Sequence, residues 1–175
     1  MRAGRQAQGN EKINAGPRLG FEAKIRPPAD AARWVAGLPR PLVFSNGVFD
    51  LLHRGHVTYL AQARDLGAAL VVALNGDASA RRLGKGEGRP LNRLADRMAL
   101  IAALASVDAV TWFDDDTPAA LIEALRPEVL VKGGDWPAER IVGGKETLAR
   151  GGRVVSIPFE HQHSSTALVE KIRKA

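Results

Sequence analysis

The 175-residue sequence has no cysteine, a single tyrosine and only 5% aromatic residues. Without cysteine there is no disulfide framework and no thiolate to serve as nucleophile or metal ligand. Scarce aromatics count against the stacking surfaces that hold single-stranded nucleic acid. No apolar run approaches the roughly 18–20 residues that cross a bilayer. The charged N-terminus is not followed by an apolar segment, so no secretory signal is expected. These absences fit a cytoplasmic protein with no membrane partner. What is present, 45% hydrophobic and 25% charged residues, is the composition of a soluble globular protein with room for one core.

The formal charge of +6 invites a nucleic-acid-binding module, but the charge is unevenly placed. Residues 1–26 carry Arg2, Arg5, Lys12, Arg18, Lys24 and Arg26 against Glu11 and Glu22, a net +4 that leaves only +2 for the body. Basicity is thus mostly a property of a Gly-, Gln- and Asn-rich stretch expected to be a mobile tail. Residues 27–175 are expected to form one domain without a nucleic-acid partner.

Along that domain, short valine-rich runs recur at Pro41–Phe44, Ala69–Leu74, Ala109–Phe113, Val129–Val131 and Val154–Ile157. They do not alternate in polarity, as expected of strands buried on both faces of a parallel sheet. Helical patterns lie between them. One is expected around Asp30–Gly37, with Trp34 and Val35 on its apolar side, and another begins with Val57, Leu60 and Ala61 and stops at Gly67. Leu94, Met98, Ile101, Ala102 and Ala105 make one helix face, with Asn92 placed as N-cap. Leu121, Ile122 and Leu125 mark a helix stopped by Pro127, and further helices are expected over Glu139–Ala149 and from about Thr166 onward. The alternation predicts a doubly wound, Rossmann-like α/β fold with about five parallel strands, binding ligand at their carboxyl ends. Ser79–Asn92, with three glycines and the cations Arg81, Arg82, Lys85 and Arg89, reads as a long loop that either closes over substrate or serves as a soluble linker. Asp114-Asp115-Asp116 reads as helix-start acids rather than a metal cluster.

The chemistry concentrates where the first strand gives way to a helix. His53 and His56, half of the chain's four histidines, stand three residues apart in SNGVFDLLHRGH, which on a helical turn places both rings on one face. Gly55 leaves room for a ligand, Gly47 permits a tight turn, and amides at a helix start favour an anion. Two imidazoles with free amides suit phosphate. The rival readings are capping or packing, and a zinc site completed by Asp50 or the distant His161 and His163. Lys132 ends the fourth strand before Gly133-Gly134-Asp135-Trp136, and Ser164-Ser165-Thr166 precede the last helix, as phosphate ligands or simply as a cap.

GVFDLLHRGH, Gly47–His56, resembles the G-x-F-D-x-x-H-x-G-H signature of the nucleotidyltransferase superfamily that includes the cytidylyltransferases. LNGD (Leu74–Asp77), GRPLNRLADR (Gly88–Arg97), VDAVTWFDDDTP (Val107–Pro118), VKGGDW (Val131–Trp136) and PFEHQHSSTALVEKI (Pro158–Ile172) are similar to the branch that adenylylates heptose 1-phosphate. The resemblance implies ATP as co-substrate, Mg2+ with the nucleotide, a sugar 1-phosphate acceptor and ADP-heptose for lipopolysaccharide inner core as product. It implies a homodimer and a separate heptose kinase upstream. It assigns His53, His56 and Lys132 to catalysis, and Asn46, Gly47, Phe49, Asp50, Gly55, Gly133, Asp135, Ser164, Ser165 and Thr166 to the nucleotide. Asn75, Asp77, Arg89 and Arg97 fall to the substrate, though Arg97 on an amphipathic helix fits a solvated role equally; no residue is assigned to a protein-held metal. Two departures stand out: Ser164-Ser165-Thr166 where the family reads Ser-Thr-Thr, and Gly76 where relatives more often have Ser, expected to soften the following loop. Phe159-Glu160 stands where glycerol-phosphate cytidylyltransferases place an arginine, which favours adenylyl over cytidylyl transfer. A cytidylyltransferase, a nucleic-acid module and a catalytically idle nucleotide sensor are the alternatives.

Overall fold

A computed structural model describes residues 20–84, 86, 88–134, 136–158, 160, 168–169, 171–172 and 174. Each valine-rich run becomes a strand: β1 (Leu42–Gly47), β2 (Ala69–Asn75), β3 (Ala109–Phe113), β4 (Val129–Gly133) and β5 (Arg153–Ile157). They form one parallel sheet in the order β3-β2-β1-β4-β5. All of β2 is buried, which explains its unbroken apolar sequence: helices cover both faces, so neither needs polar residues. On one face α2 (Arg54–Arg64) and α4 (Leu94–Ala102) pack their Tyr59, Leu60, Ala63, Ile101 and Ala102 on Val43, Leu70 and Val72. On the other, α1 (Pro28–Val35) and α5 (Ala119–Leu125) pack Val35, Leu121, Ile122 and Leu125 on Leu42, Phe44 and Val71. The chain builds outward from β1 to β2 and β3 on one side and to β4 and β5 on the other, so the crevice of the doubly wound sheet opens at the carboxyl ends of β1 and β4.

Several local expectations are corrected. Ser79–Asn92 is not wholly a loop, because α3 (Asp77–Arg82) continues to Arg82, whose guanidinium bonds the Asp116 carboxylate at 2.6 Å and the Asp114 carbonyl. Those acids do not sit in the first turn of a helix: α5 begins only at Ala119, after Pro118. Ala105 lies beyond α4 and is exposed, and on α2 the buried face runs through Tyr59, Leu60 and Ala63 while Val57 and Ala61 point to solvent. Asn92 does not cap α4; its amide donates to the Asp50 carbonyl at 2.7 Å, and Arg93 holds the cap position. Gly20–Arg26, expected within a mobile tail, docks on β3: Ile25 bridges Val110, Phe21 and Ile25 pack on the core, and the Arg26 guanidinium lies 4.7 Å from the Trp34 ring centre. Residues 1–19 lie outside the described residues, as does most of the helix expected from Thr166. Among the described residues no helix is long and apolar enough to cross a membrane.

The single helix expected over Glu139–Ala149 is two pieces, a 3-10 turn at Ala138–Arg140 and α6 (Gly144–Ala149). Gly143 separates them with φ +78, and a Cβ built there would meet Ile122 Cγ2 at 2.7 Å. Positive φ and close packing both require glycine at this point. Gly143→Ala is therefore expected to cost about 1–3 kcal/mol, read as a lowered urea midpoint at unchanged slope; an unaltered midpoint would refute this account of the break.

Candidate active site

β1 leaves the sheet through Asn46-Gly47 into a turn that only a strained residue completes. Phe49 has φ 49, a left-handed conformation that is rare for a bulky side chain and gathers at functional sites. A Cβ on Gly47 would lie 3.0 Å from the Phe49 ring, so the glycine makes room for it. The ring, 7% exposed, meets His56 edge-on at 5.2 Å between centres. His53 occupies the N-cap position of α2 in extended conformation but makes no side-chain cap bond, which removes the capping explanation for it. Its ring stacks on that of His56, 3.8 Å apart and 22° from parallel. Both Nδ1 atoms are buried while the residues remain half-exposed. The pair therefore shares a face, at the positive end of the α2 dipole, with Gly55 buried between them.

Asp50 belongs to the same turn, yet it faces the chain rather than a ligand. One carboxylate oxygen accepts the amides of Leu91 and Asn92 at 2.8 and 2.9 Å; the other pairs with Arg89 at 2.6 Å. Burial alone would raise its pKa, but the hydrogen bonds of Asn92, Arg89 and Leu91, together with the Arg89 charge, outweigh burial and hold the carboxyl below its ordinary value. Asp50 and Arg89, expected at nucleotide and substrate, thus clasp the loop before α4 to the exit of β1.

Arg97 corrects the sequence reading most sharply. It is completely buried, neither solvated nor facing the crevice. Its guanidinium donates to the carbonyls of Val48 at 2.6 Å, Asn75 at 2.9 Å and Asn92 at 3.1 Å, and to the Asp77 carboxylate at 2.8 Å. Asp77 is accordingly engaged with Arg97 as a strut. The Asn75 side chain donates to Ser79 Oγ, which donates to the Asp115 carbonyl. Gly76 does not soften this loop: it starts α3, and a Cβ there would fall 1.9 Å from Asp114 Oδ1.

Across the crevice, Lys132 at the end of β4 reaches the Asn46 carbonyl and side-chain oxygen at 3.4 and 3.5 Å. A cleft of about 240 Å3 opens beside it, lined by Asn46, Gly47, Asn75 and Lys132 from the expected set. The histidines do not line this cleft; they stand on the α2 side of β1. Gly134 takes φ +105, and its amide bonds Ile157 at 2.9 Å, fixing the glycine pair. Asp135, Ser164, Ser165, Thr166, His161, His163 and Lys85 lie outside the described residues. Among the described residues no three His, Asp or Glu are grouped to hold a metal. Sequence reasoning missed the apolar cleft walls, which include Leu83, Phe113, Trp136 and Ile141. Only Trp136 carried a local signal, as a lone aromatic after two glycines.

A parallel sheet opened at its switch point, with imidazoles at a helix start on one side and a lysine on the other, is the frame of a nucleotidyltransferase. The family model described as cytidylyltransferase-like matches residues 44–171, and the chain belongs to that family. It is 58% identical over 156 residues to the D-beta-D-heptose 1-phosphate adenylyltransferase of Bordetella bronchiseptica, covering 88% of this chain and 96% of that one. The bifunctional protein HldE of Hahella chejuensis is 55% identical over 76% of this chain, which spans 28% of HldE. Among solved structures, the lipopolysaccharide core biosynthesis protein of Thermoplasma volcanium matches with a TM-score of 0.56 at 27% identity, over 70% of this chain and 98% of that one. Pantothenate synthetase of Thermus thermophilus, 17% identical over 83% of this chain and 68% of its own, shares the fold with a TM-score of 0.58.

The Asp50 clasp predicts a pH dependence. A carboxyl with a lowered folded pKa contributes stability above its unfolded value of about 3.9, and that contribution is lost as pH falls through the folded pKa. Asp50→Asn is expected to be less stable than wild type at neutral pH and to lose less on acidification below about pH 4. Urea unfolding at several pH values checks this; parallel stability curves for the two proteins would sink it.

Proposed function

We propose that the protein transfers AMP from ATP to D-glycero-β-D-manno-heptose 1-phosphate, forming ADP-heptose and pyrophosphate for lipopolysaccharide inner-core synthesis. The observation that carries this reading is the 58% identity to the Bordetella enzyme across nearly the whole of both chains. In the reaction, an acceptor phosphate oxygen forms a bond to the α-phosphorus of ATP as the bond from that phosphorus to the pyrophosphate oxygen breaks. The attacking oxygen is already ionised at neutral pH, so no general base is required. The barrier lies in bringing two anions together and in charge gathering on the departing pyrophosphate, which makes catalysis a matter of positioning and electrostatics.

The stacked imidazoles of His53 and His56 suit hydrogen-bond donation to that charge, and the Lys132 ammonium suits bridging phosphates across β1 and β4. Gly133 and Gly134 let backbone approach the nucleoside, and Ser164, Ser165 and Thr166 would supply hydroxyls to the triphosphate. Asn75, which lines the cleft, is assigned in this reading to the acceptor. Asp50, Asp77, Arg89 and Arg97 act in this reading by holding the walls. Magnesium would neutralise triphosphate charge, held by phosphates and water rather than by a protein cluster. The setting is the cytoplasm, with a separate kinase supplying the sugar 1-phosphate.

Heptose 1-phosphate offered with each nucleoside triphosphate should release pyrophosphate with ATP; turnover with CTP alone would overturn the choice of nucleotide. His56→Ala is expected to lower kcat about 100- to 1,000-fold, the effect of losing one transition-state donor worth ~2.7–4 kcal/mol. A kcat equal to wild type would remove His56 from the mechanism.

A further inference from the structure

The cleft beside Lys132 has a wall that phosphate chemistry does not require. Phe113, Pro118, Ile141 and Trp136 are among the apolar residues that line it. Trp136 is 48% exposed, and among the described residues it is the only exposed large aromatic. Its backbone is nonetheless fixed. The Trp136 amide donates to Ser156 Oγ at 2.9 Å, and that hydroxyl donates in turn to the Gly134 carbonyl. The facing turn around Ile141 is held against α5 by the close packing of Gly143. An indole kept in water on a pinned edge gains nothing for the core; it is presented to something.

The rest of the lining says to what. Asn46, Asn75 and Thr117 offer amide and hydroxyl groups, Lys132 and Arg140 are cations in the same cleft, and Asp116, paired with Arg82, is its one carboxylate. An exposed aromatic ring together with small uncharged polar groups in one cleft suits carbohydrate recognition: C–H edges pack on the ring while hydroxyls find amides. At about 240 Å3 the cleft is smaller than the roughly 300–1,000 Å3 of pockets that enclose whole drug-sized ligands, so it takes one part of the reacting pair. It borders Phe113 and Ile141 of the α1–α5 layer, whereas the imidazoles stand at the start of α2 on the opposite layer. We infer that this cleft receives the sugar of the acceptor, and that Trp136 is the surface on which the sugar ring packs and therefore a specificity-determining residue. The inference rests on the sugar 1-phosphate adenylyltransferase reading.

The test uses the full chain, with ATP and heptose 1-phosphate varied independently and pyrophosphate release followed. Trp136→Ala is expected to raise KM for heptose 1-phosphate about tenfold while changing KM for ATP by less than about twofold, with Trp136→Phe recovering most of the loss. Titration calorimetry with heptose 1-phosphate alone should show the same weakening without turnover. A larger effect on ATP would mean that the indole meets the nucleotide base, and unchanged sugar constants would leave it without a role; either overturns the inference while the enzyme's activity stands. A wild-type protein that releases no pyrophosphate from this pair would overturn the functional reading and this inference together.

Discussion

A guanidinium with no access to solvent sits where the loops of the site converge. Removing a charge from water costs several kcal/mol even after relaxation, and the cost is offset only when the group is paired and its donors are filled. Arg97 meets that condition through three carbonyls and a carboxylate drawn from three segments: the β1 exit, the turn from β2 into α3 and the approach to α4. Each segment would be free to shift alone. Tied to one planar donor of fixed geometry, they move together or not at all. The crevice of a doubly wound sheet is built from such strand exits, so this hidden charge sets the shape of a surface it never touches.

Asp50 does the same on the other side of the turn, gathering Arg89, Leu91 and Asn92. Between these two clasps lies Phe49 in its left-handed conformation. Strain of this kind persists only where the surroundings over-determine it, and here the two clasps and the Gly47 space do so. The product is the edge contact that steadies His56. Asp50, Asp77, Arg89 and Arg97 are thus spent on architecture, and in the proposed reading imidazole, ammonium and backbone meet the ligand.

The sequence was most legible where the determining interactions are local. Five strands were visible because burial on both faces demands continuous valine and leucine, and α5 was visible through Leu121, Ile122 and Leu125. The histidine pair was legible because three-residue spacing fixes its geometry within one turn. α3 was hidden, since Asp77–Arg82 carries no apolar stripe and its basic end is held by Asp114 and Asp116 over thirty residues away. Arg97 was misread for the same reason: its helix is amphipathic and exposed on one side, and nothing nearby in sequence announces that its partners sit at Val48 and Asn75. The cleft was the least legible feature, because Leu83, Phe113, Trp136 and Ile141 line one space only after the sheet has brought three distant chain segments together.

The arrangement also explains why a chain with little aromatic residue leaves an indole in water. Transfer to a phosphate needs two anions held on either side of one phosphorus, and a single basic pocket would bind both in the wrong place. Here the positive features are divided. The imidazoles and helix dipole lie on the α2 side of β1, Lys132 stands at the β1–β4 boundary as part of the cleft lining, and the rest of that lining is uncharged apart from Asp116 and Arg140. In the proposed reading the sugar is taken by the apolar and uncharged polar part of this lining, and the cations beside it meet phosphate. Orientation of the acceptor would then come from the uncharged part of the molecule, and the cations would be left for the charge that develops as the bond breaks.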